Sequence, residues 1–427
     1  MDDINHFSEV TLPLKDFDEN DDFVYSYNER CRIYNSRLRI YDDGRKHYPD
    51  GTTQDPPEGC WMRYYAEEGN VPYTKPSIDS SLGAGAYGKV DVVWATHIPE
   101  VQGHREFARK EYHDKETSNS PRKSKAQEAL ESEITIYNKL EKAQTTNHRV
   151  KIFDAYTIGM KRFFLIMDPV AKSGTLKRLI FNFVFAGENR TAEEARTLHR
   201  AIGCLTVAMA RLHEKGFRHR DLHPDNVLLH EGNILVCDFG ASLHAEYEQR
   251  STTTTDFPPK MERYAAPEVI SAAGKRNKMA DVFSLGAILF EIVFALHGRR
   301  ELMESWPDGG YRYEARIDEV RRLCDPSTSH IEELWYISQT LRREQHQRIP
   351  ARILAAQLLN LPKSERGPRM CEECQEWLDQ TGEPQKLRDE LREKRERFRK
   401  QEELQERRER RENLQKLTVK RTRSFEF

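Results

Sequence analysis

At 427 residues the chain is too long for one ordinary domain and short for three, which leaves one large or two modest ones. Its 68 Lys and Arg nearly balance 70 Asp and Glu, and a net charge of −2 removes any general case for binding nucleic acid or an acidic membrane. The nine apolar residue types make up 37%, enough with 19 Phe and 17 Tyr to furnish a core in an otherwise polar chain.

Residues 1–76 read as a polar, partly disordered extension. The first 22 hold eight acidic residues against one lysine, and Asp42-Asp43-Gly44, Pro49-Asp50-Gly51 and Asp55-Pro56-Pro57 supply turn chemistry. The start, Met1-Asp2-Asp3, lacks the basic residues and apolar run of a secretory signal. Seven scattered cysteines (31, 60, 204, 237, 324, 371 and 374) are unlike a disulfide framework, so a reduced, intracellular protein of the cytoplasm or nucleus is expected.

Residues 77–361 read as a globular domain. Short β-type runs come first: Lys89 to Ala95, Phe107 to Tyr112, Lys151 to Thr157 and Arg162 to Met167. A polar insert, Asp114 to Lys125, precedes a helical pattern from Ala126 to Leu140. From Thr175 onward the periodic segments are mostly helical, including Ala192 to Lys215 and Asp281 to His297. Strands first and helices later predict an α+β protein with two lobes. The most apolar stretch, Val282 to Leu296, falls short of the roughly 18 uncharged residues of a membrane helix. Glu291 interrupts it, and it reads as a buried helix.

Residues 362–427 read as a charged, helical tail. Five Glu-to-Lys/Arg pairs stand at helical spacing, 390/394, 393/397, 396/400, 403/407 and 406/410, and each supports a solvated helix. Leu387, Leu391, Phe398, Leu404, Leu414 and Leu417 hold no steady heptad. From Pro384 onward 16 Lys and Arg face 10 acids, and a solvated face open to partner proteins is expected rather than a nucleic-acid surface.

Two constellations carry chemistry. Gly83-Ala84-Gly85-Ala86-Tyr87-Gly88-Lys89-Val90 matches G-x-G-x-x-G-x-V, where the missing Cβ atoms let backbone close over a phosphate chain. A strand leaves these glycines, whereas a dinucleotide site would place a helix there. Further on stand His219-Arg220-Asp221-Leu222-His223-Pro224-Asp225-Asn226 and, twelve residues after Asn226, Asp238-Phe239-Gly240. Asp221 can orient a hydroxyl and accept its proton, while Asn226 and Asp238 offer oxygen ligands to a hard cation such as Mg²⁺. Two short strands around a turn would bring all three to one cleft.

In this order the motifs resemble the eukaryotic protein kinase family, serine/threonine-type more than tyrosine-type, over about residues 77 to 361. The resemblance implies a two-lobed kinase fold with a small β-rich lobe and a larger helical lobe, and an enzyme that uses ATP and Mg²⁺ on protein substrates. It implies that Lys110, in Ala108-Arg109-Lys110, grips the ATP phosphates and pairs with Glu133, with Glu128 and Glu131 as alternatives. Gly83, Gly85, Gly88, Val90, Ala108 and Leu228 would surround the nucleotide. Met167-Asp168-Pro169-Val170 resembles the gatekeeper and hinge that hold adenine. Asp221 would align the acceptor hydroxyl, Asp238 and Asn226 would hold Mg²⁺, and Arg220 would be free to bind an anion. Ala266-Pro267-Glu268 resembles the end of the activation segment, with Arg348 as the partner of its glutamate, and Asp281-Val282-Phe283-Ser284-Leu285-Gly286 the start of the central buried helix.

Two departures bear on the acceptor. His223 stands where serine/threonine kinases usually carry lysine, and it would serve as that cation while protonated. Met261 replaces the usual threonine or proline five residues before Ala266. A pseudokinase scaffold and a tyrosine or dual-specificity kinase therefore stay open beside the serine/threonine reading. Ser251 and Thr252 to Thr255 are candidates for phosphorylation, with Asp256 beside them, and Ser120-Pro121 is a weaker one. Cys237 is expected to pack, and Cys371-Glu372-Glu373-Cys374 has metal-ligand spacing but no second C-x-x-C or H-x-x-x-H, so it reads as two ordinary thiols.

Overall fold

The computed structural model describes five short strands between residues 23 and 54. It then describes residues 60–65, 68–76, 80–85, 88–95, 105–112, 125–146, 148–158, 161–244, 261–271, 277–300, 312–327, 329–390 and Arg392. Ala86 and Tyr87, the turn triplets beginning at Asp42, Pro49 and Asp55, and residues 114–124 with Ser120-Pro121 lie outside the described residues. So do Ser251 to Asp256 and one or both members of each charged pair of the tail.

A nine-stranded sheet builds the small lobe. Its strands are β1 (Phe23–Tyr27), β2 (Cys31–Asn35), β3 (Cys60–Tyr65), β4 (Tyr73–Thr74), β5 (Ser81–Gly85), β6 (Gly88–Ala95), β7 (Glu106–Tyr112), β8 (Lys151–Ile158) and β9 (Arg162–Asp168). They lie in the order β1-β2-β3-β8-β9-β7-β6-β4, with β5 pairing on β6. The four runs expected from the sequence are all present, each a residue or so longer. On β9 Phe163 to Met167 are buried without alternation, as a strand covered on both faces requires.

Of the extension expected for residues 1–76, the described residues 60–65 and 68–76 do not stand apart from the domain. β3 runs parallel beside β8, with Tyr156 opposite Arg63, and Tyr65, Val71 and Tyr73 are buried with Tyr156 and Phe164. The Tyr73 ring stacks on Tyr156 at 5.7 Å, and its hydroxyl donates to buried Asp154 at 2.8 Å. Aromatic area in the polar leader, not its charge, decided its placement, because each such ring buries some 150–250 Å².

Helix α1 (Lys125–Lys142) packs its buried face, including Leu130, Ile134, Tyr137 and Leu140, against the sheet. The large lobe begins with α2 (Leu176–Phe185), capped by the Thr175 hydroxyl, and α3 (Ala192–Glu214), opened by a reciprocal Thr191–Glu194 capping box. Between them and the rest of the lobe lies a hairpin, β10 (Val227–His230) with β11 (Asn233–Val236). Helix α4 (Lys278–Leu296) is predominantly apolar, with Asp281 and Glu291 among its few polar residues, and long and apolar enough to cross a membrane, yet it is mostly buried inside the lobe. Further along, after shorter helices, comes α5 (Ala351–Leu359).

Chain beyond 361 also packs. Met370, Cys374 and Leu378 are buried, and helix α6 (Glu372–Gln380) lies along α3 through an Arg211–Glu373 ion pair at 3.0 Å. The expected charged tail therefore begins only after a segment that belongs to the large lobe.

Candidate active site

The hairpin β10–β11 brings the catalytic candidates together. Its register, Val227 opposite Val236, sets Asn226 and Cys237 side by side, and the Cys237 amide donates to the Asn226 carbonyl at 3.0 Å. Asn226 in turn donates through Nδ2 to the Asp221 carbonyl at 2.9 Å. An amide that donates through nitrogen leaves its Oδ1 as an oxygen ligand. Asp221 and Asn226 are buried, whereas Asp238 stays partly open, in left-handed backbone at φ 58°.

On the opposite wall Lys110 sits on β7, cross-strand from Val90 and Leu165. Its Nζ lies 2.7 Å from Glu133 Oε2 and 3.2 Å from Asp238 Oδ1. Burial works against the ammonium, but the charges of Glu133 and Asp238, with the Tyr112 ring and the hydrogen bond to Glu133, together outweigh it and hold Lys110 well above the ordinary lysine value. Of the three glutamates considered on α1, Glu133 is thus the one that meets the lysine. The Tyr112 hydroxyl also donates to Glu133 Oε2. Burial, then the neighbouring carboxylate, raises the Tyr112 phenol far above its usual range, so it remains a donor.

Behind the site three rings line up: Tyr137 against Phe239 at 5.2 Å and Phe239 against His219 at 5.0 Å. This stack ties α1 to the Asp238 turn and to the loop of Asp221. His219 Nε2 donates to the Cys237 carbonyl at 3.0 Å, leaving Nδ1 to face the Asp221 amide at 3.4 Å. The loop is held from below by Asp281 of α4, which accepts the backbone N–H groups of His219 and Arg220, both at 2.8 Å. Burial alone would raise the Asp281 carboxyl, but the His213 hydrogen bond at 3.1 Å and these amides hold it below the usual value.

The apolar candidates share one cluster: Ala108 and Met167, opposite each other on β7 and β9, with Val90, Val170 and Leu228. Asp168 is different, since its carboxylate is taken by Arg105 at 2.9 Å. Gly83 and Gly85 lie on β5 and Gly88 opens β6. At Gly88 a Cβ would sit 1.5 Å from the Glu111 carbonyl oxygen, with φ at 155°, so no other residue fits there.

His223 is buried between two acids, Nε2 at 3.9 Å from Asp221 Oδ1 and Nδ1 at 3.9 Å from Asp225 Oδ2. It lines a cleft beside Asp221 together with Met261, Tyr264 and Ser284. Arg220 reaches the Ala241 carbonyl at 3.4 Å. The Glu268 carboxylate meets Arg348 in a two-pronged pair, both contacts at 2.7 Å.

Four supporting residues carried no role in the sequence reading: Tyr112, Tyr137, Asp281 and Glu291. Glu291 registered only as a break in an apolar run. It accepts from Arg263 at 3.1 Å, Tyr264 at 2.9 Å and Tyr313 at 2.8 Å, anchoring the strip just before Pro267. A fully buried acid in a helix of apolar residues was the available signal, because such a charge needs partners.

A lysine–glutamate pair facing an aspartate turn, beneath a glycine-rich strand pair and above an Asp–Asn loop, defines a phosphotransfer cleft of the kinase type. Comparison with known proteins agrees: the protein kinase domain family matches residues 77–366, and the chain belongs to that family. Its relatives include serine/threonine kinases. Mouse ribosomal protein S6 kinase alpha-4 is 30% identical over 262 residues, 58% of this chain and 31% of the relative. CBL-interacting serine/threonine-protein kinase 24 of Arabidopsis thaliana is 40% identical over 124 residues, 29% of this chain and 26% of the relative. CBL-interacting protein kinase 11 of rice is 35% identical over 150 residues, 34% and 27% respectively. The chain thus aligns with about a third or less of each relative's own length.

Proposed function

We propose that the chain transfers the γ-phosphate of ATP to serine or threonine hydroxyls of protein substrates. The observation that carries this reading is the Lys110 ammonium held within 3.2 Å of both Glu133 and Asp238, over the paired Asp221 and Asn226. A site kept for scaffolding alone has no need of both the Lys110–Glu133–Asp238 contacts and the Asp221–Asn226 pair.

Lys110 would bind the α and β phosphates, kept in place by Glu133, whose Oε2 also accepts from Tyr112. The pair Asp238 and Asn226 suits Mg²⁺, a hard cation that takes carboxylate and amide oxygens, and its charge would offset that of the phosphates. Asp221 would orient the acceptor hydroxyl and take its proton. His223, in the cleft beside Asp221, would supply the cation that serine/threonine kinases usually draw from lysine.

The test is a labelled-ATP assay on a generic protein acceptor, followed by phosphoamino-acid analysis. Label is expected on serine and threonine, and Lys110→Met and Asp221→Asn should each lower the rate by at least about a hundredfold, in the range of acid–base and electrostatic terms. Incorporation that survives both substitutions would defeat the proposal, and label on tyrosine would move the acceptor class. A further arm measures the parent against His223→Ala from about pH 6 to about pH 8, where an imidazole changes charge. The ratio of kcat values should be largest at the acid end, and equal kcat throughout would remove His223 from the mechanism.

A further inference from the structure

The two thiols expected at Cys371 and Cys374 are not alone. The fold brings to them Cys204 of α3 and His148 of the loop between α1 and β8. The four ligand atoms, three Sγ and one imidazole nitrogen, all lie within 4.8 Å of one another. His148 and Cys371 are 223 residues apart in sequence, which is why no local spacing announced the cluster. Cys371 and Cys374 lie beyond residue 366, where the family match ends.

We propose that His148, Cys204, Cys371 and Cys374 form a structural zinc site. A tetrahedral zinc with sulfur at about 2.3 Å and nitrogen at about 2.0 Å sets its ligand atoms roughly 3.5–3.8 Å apart, inside the 4.8 Å within which all four lie here. Three thiolates and one imidazole are a soft, closed donor set of the kind that selects zinc and leaves no position for substrate. On binding, the thiols release their protons to solvent.

The surroundings prepare each ligand. His148 Nδ1 lies 3.0 Å from the Ile234 carbonyl. A carbonyl only accepts, so Nδ1 carries the proton and Nε2, 3.2 Å from Cys371 Sγ, presents its lone pair to the cluster. The backbone around His148 is pinned to β11, with the Val236 amide on its carbonyl at 3.0 Å and the Val150 amide on the Val236 carbonyl at 3.1 Å. The Cys371 amide donates to Cys204 Sγ at 3.1 Å, which fixes that sulfur beside the helix end carrying Cys371. Cys371 caps α6 and Cys374 lies in its first turn, so the two sulfurs share one end of that helix. Gly203 permits the approach: a Cβ there would stand 2.5 Å from the Arg369 carbonyl oxygen, on the strand of chain that delivers Cys371.

Such an ion would clamp α6 to α3 and to the loop behind α1, joining both lobes to the chain beyond the family domain. The test uses the full chain, purified under reducing conditions without chelators, with metals measured by mass spectrometry. About one zinc per chain is expected, falling below about a tenth in Cys371→Ser and Cys374→Ser, as removal of a thiolate ligand predicts. Cys324→Ser, at a buried thiol outside the cluster, should keep its zinc. A serine variant that fails to fold leaves a second measurement intact, exchange of cobalt(II) into the unaltered protein. There thiolate-to-cobalt charge-transfer absorption and intense tetrahedral d–d bands are expected. Absence of both stoichiometric zinc and thiolate–cobalt absorption would overturn the site, as would full zinc retention in the Cys371→Ser/Cys374→Ser double variant. Iron or copper at the same stoichiometry would overturn its assignment to zinc.

Discussion

Arg348 shows what a single side chain can hold. Its guanidinium is fully buried, forks onto Glu268, and donates as well to the carbonyls of Met279, Arg342 and Arg343. Arg348→Ala would strand the Glu268 carboxylate with little access to water, a loss of about 3–5 kcal/mol by analogy with broken buried pairs. Arg348→Lys would keep the charge without the fork and fall between. Thermal unfolding reads both, and an alanine variant melting within about a degree of the parent would contradict the assignment. At this scale the sequence disclosed the groups that sit inside contiguous motifs: Asp221, Asn226, Asp238 and Lys110. It was silent on Tyr112 and on the role of Asp281, whose partners lie 21 and 62 residues away. Their meaning comes from geometry that only the folded chain possesses.

Elements were legible where burial and periodicity coincide. The strands around Lys110 and the helices from Ala192 and from Lys278 fall within a few residues of their expected limits, since runs of aromatic and β-branched residues or a full apolar helix declare themselves. What periodicity does not declare is the neighbour. β3 joins β8 in parallel, across more than eighty residues, and nothing in Cys60–Tyr65 specifies that pairing. Helix α6 was likewise absorbed into a charged tail, because its acidic first turn outweighed the buried Cys374 and Leu378 in composition. Parallel edges and docked terminal helices are tertiary facts, set by which apolar faces remain uncovered once the core has formed.

The whole molecule has a built-in sensitivity to acid where the segment after residue 361 meets α3. His199 is buried there, and burial pushes its imidazole down to about 4, with the charges of Arg369 and Arg366 adding to the effect and Glu333 opposing it. The folded state therefore prefers neutral His199. That preference costs nothing above the unfolded value near pH 6.5, and as pH falls towards 4 the unfolded chain gains a proton that the folded one refuses. Stability should drop over this window by up to about 3 kcal/mol from this residue. Melting curves at about pH 7 and about pH 5 should show a larger acid loss for the parent than for His199→Gln, which cannot titrate. Equal losses would assign the acid response to other groups.

The parallel pairing of β3 along β8 also governs where the chain can be cut. A fragment trimmed at residue 77, where the family match begins, would strip one flank of the sheet and uncover the edge of β8 at Tyr156–Ile158. An uncovered row of that kind invites other copies to dock edge to edge, so such a fragment should precipitate or oligomerise where the longer chain stays dispersed, a difference that light scattering would register.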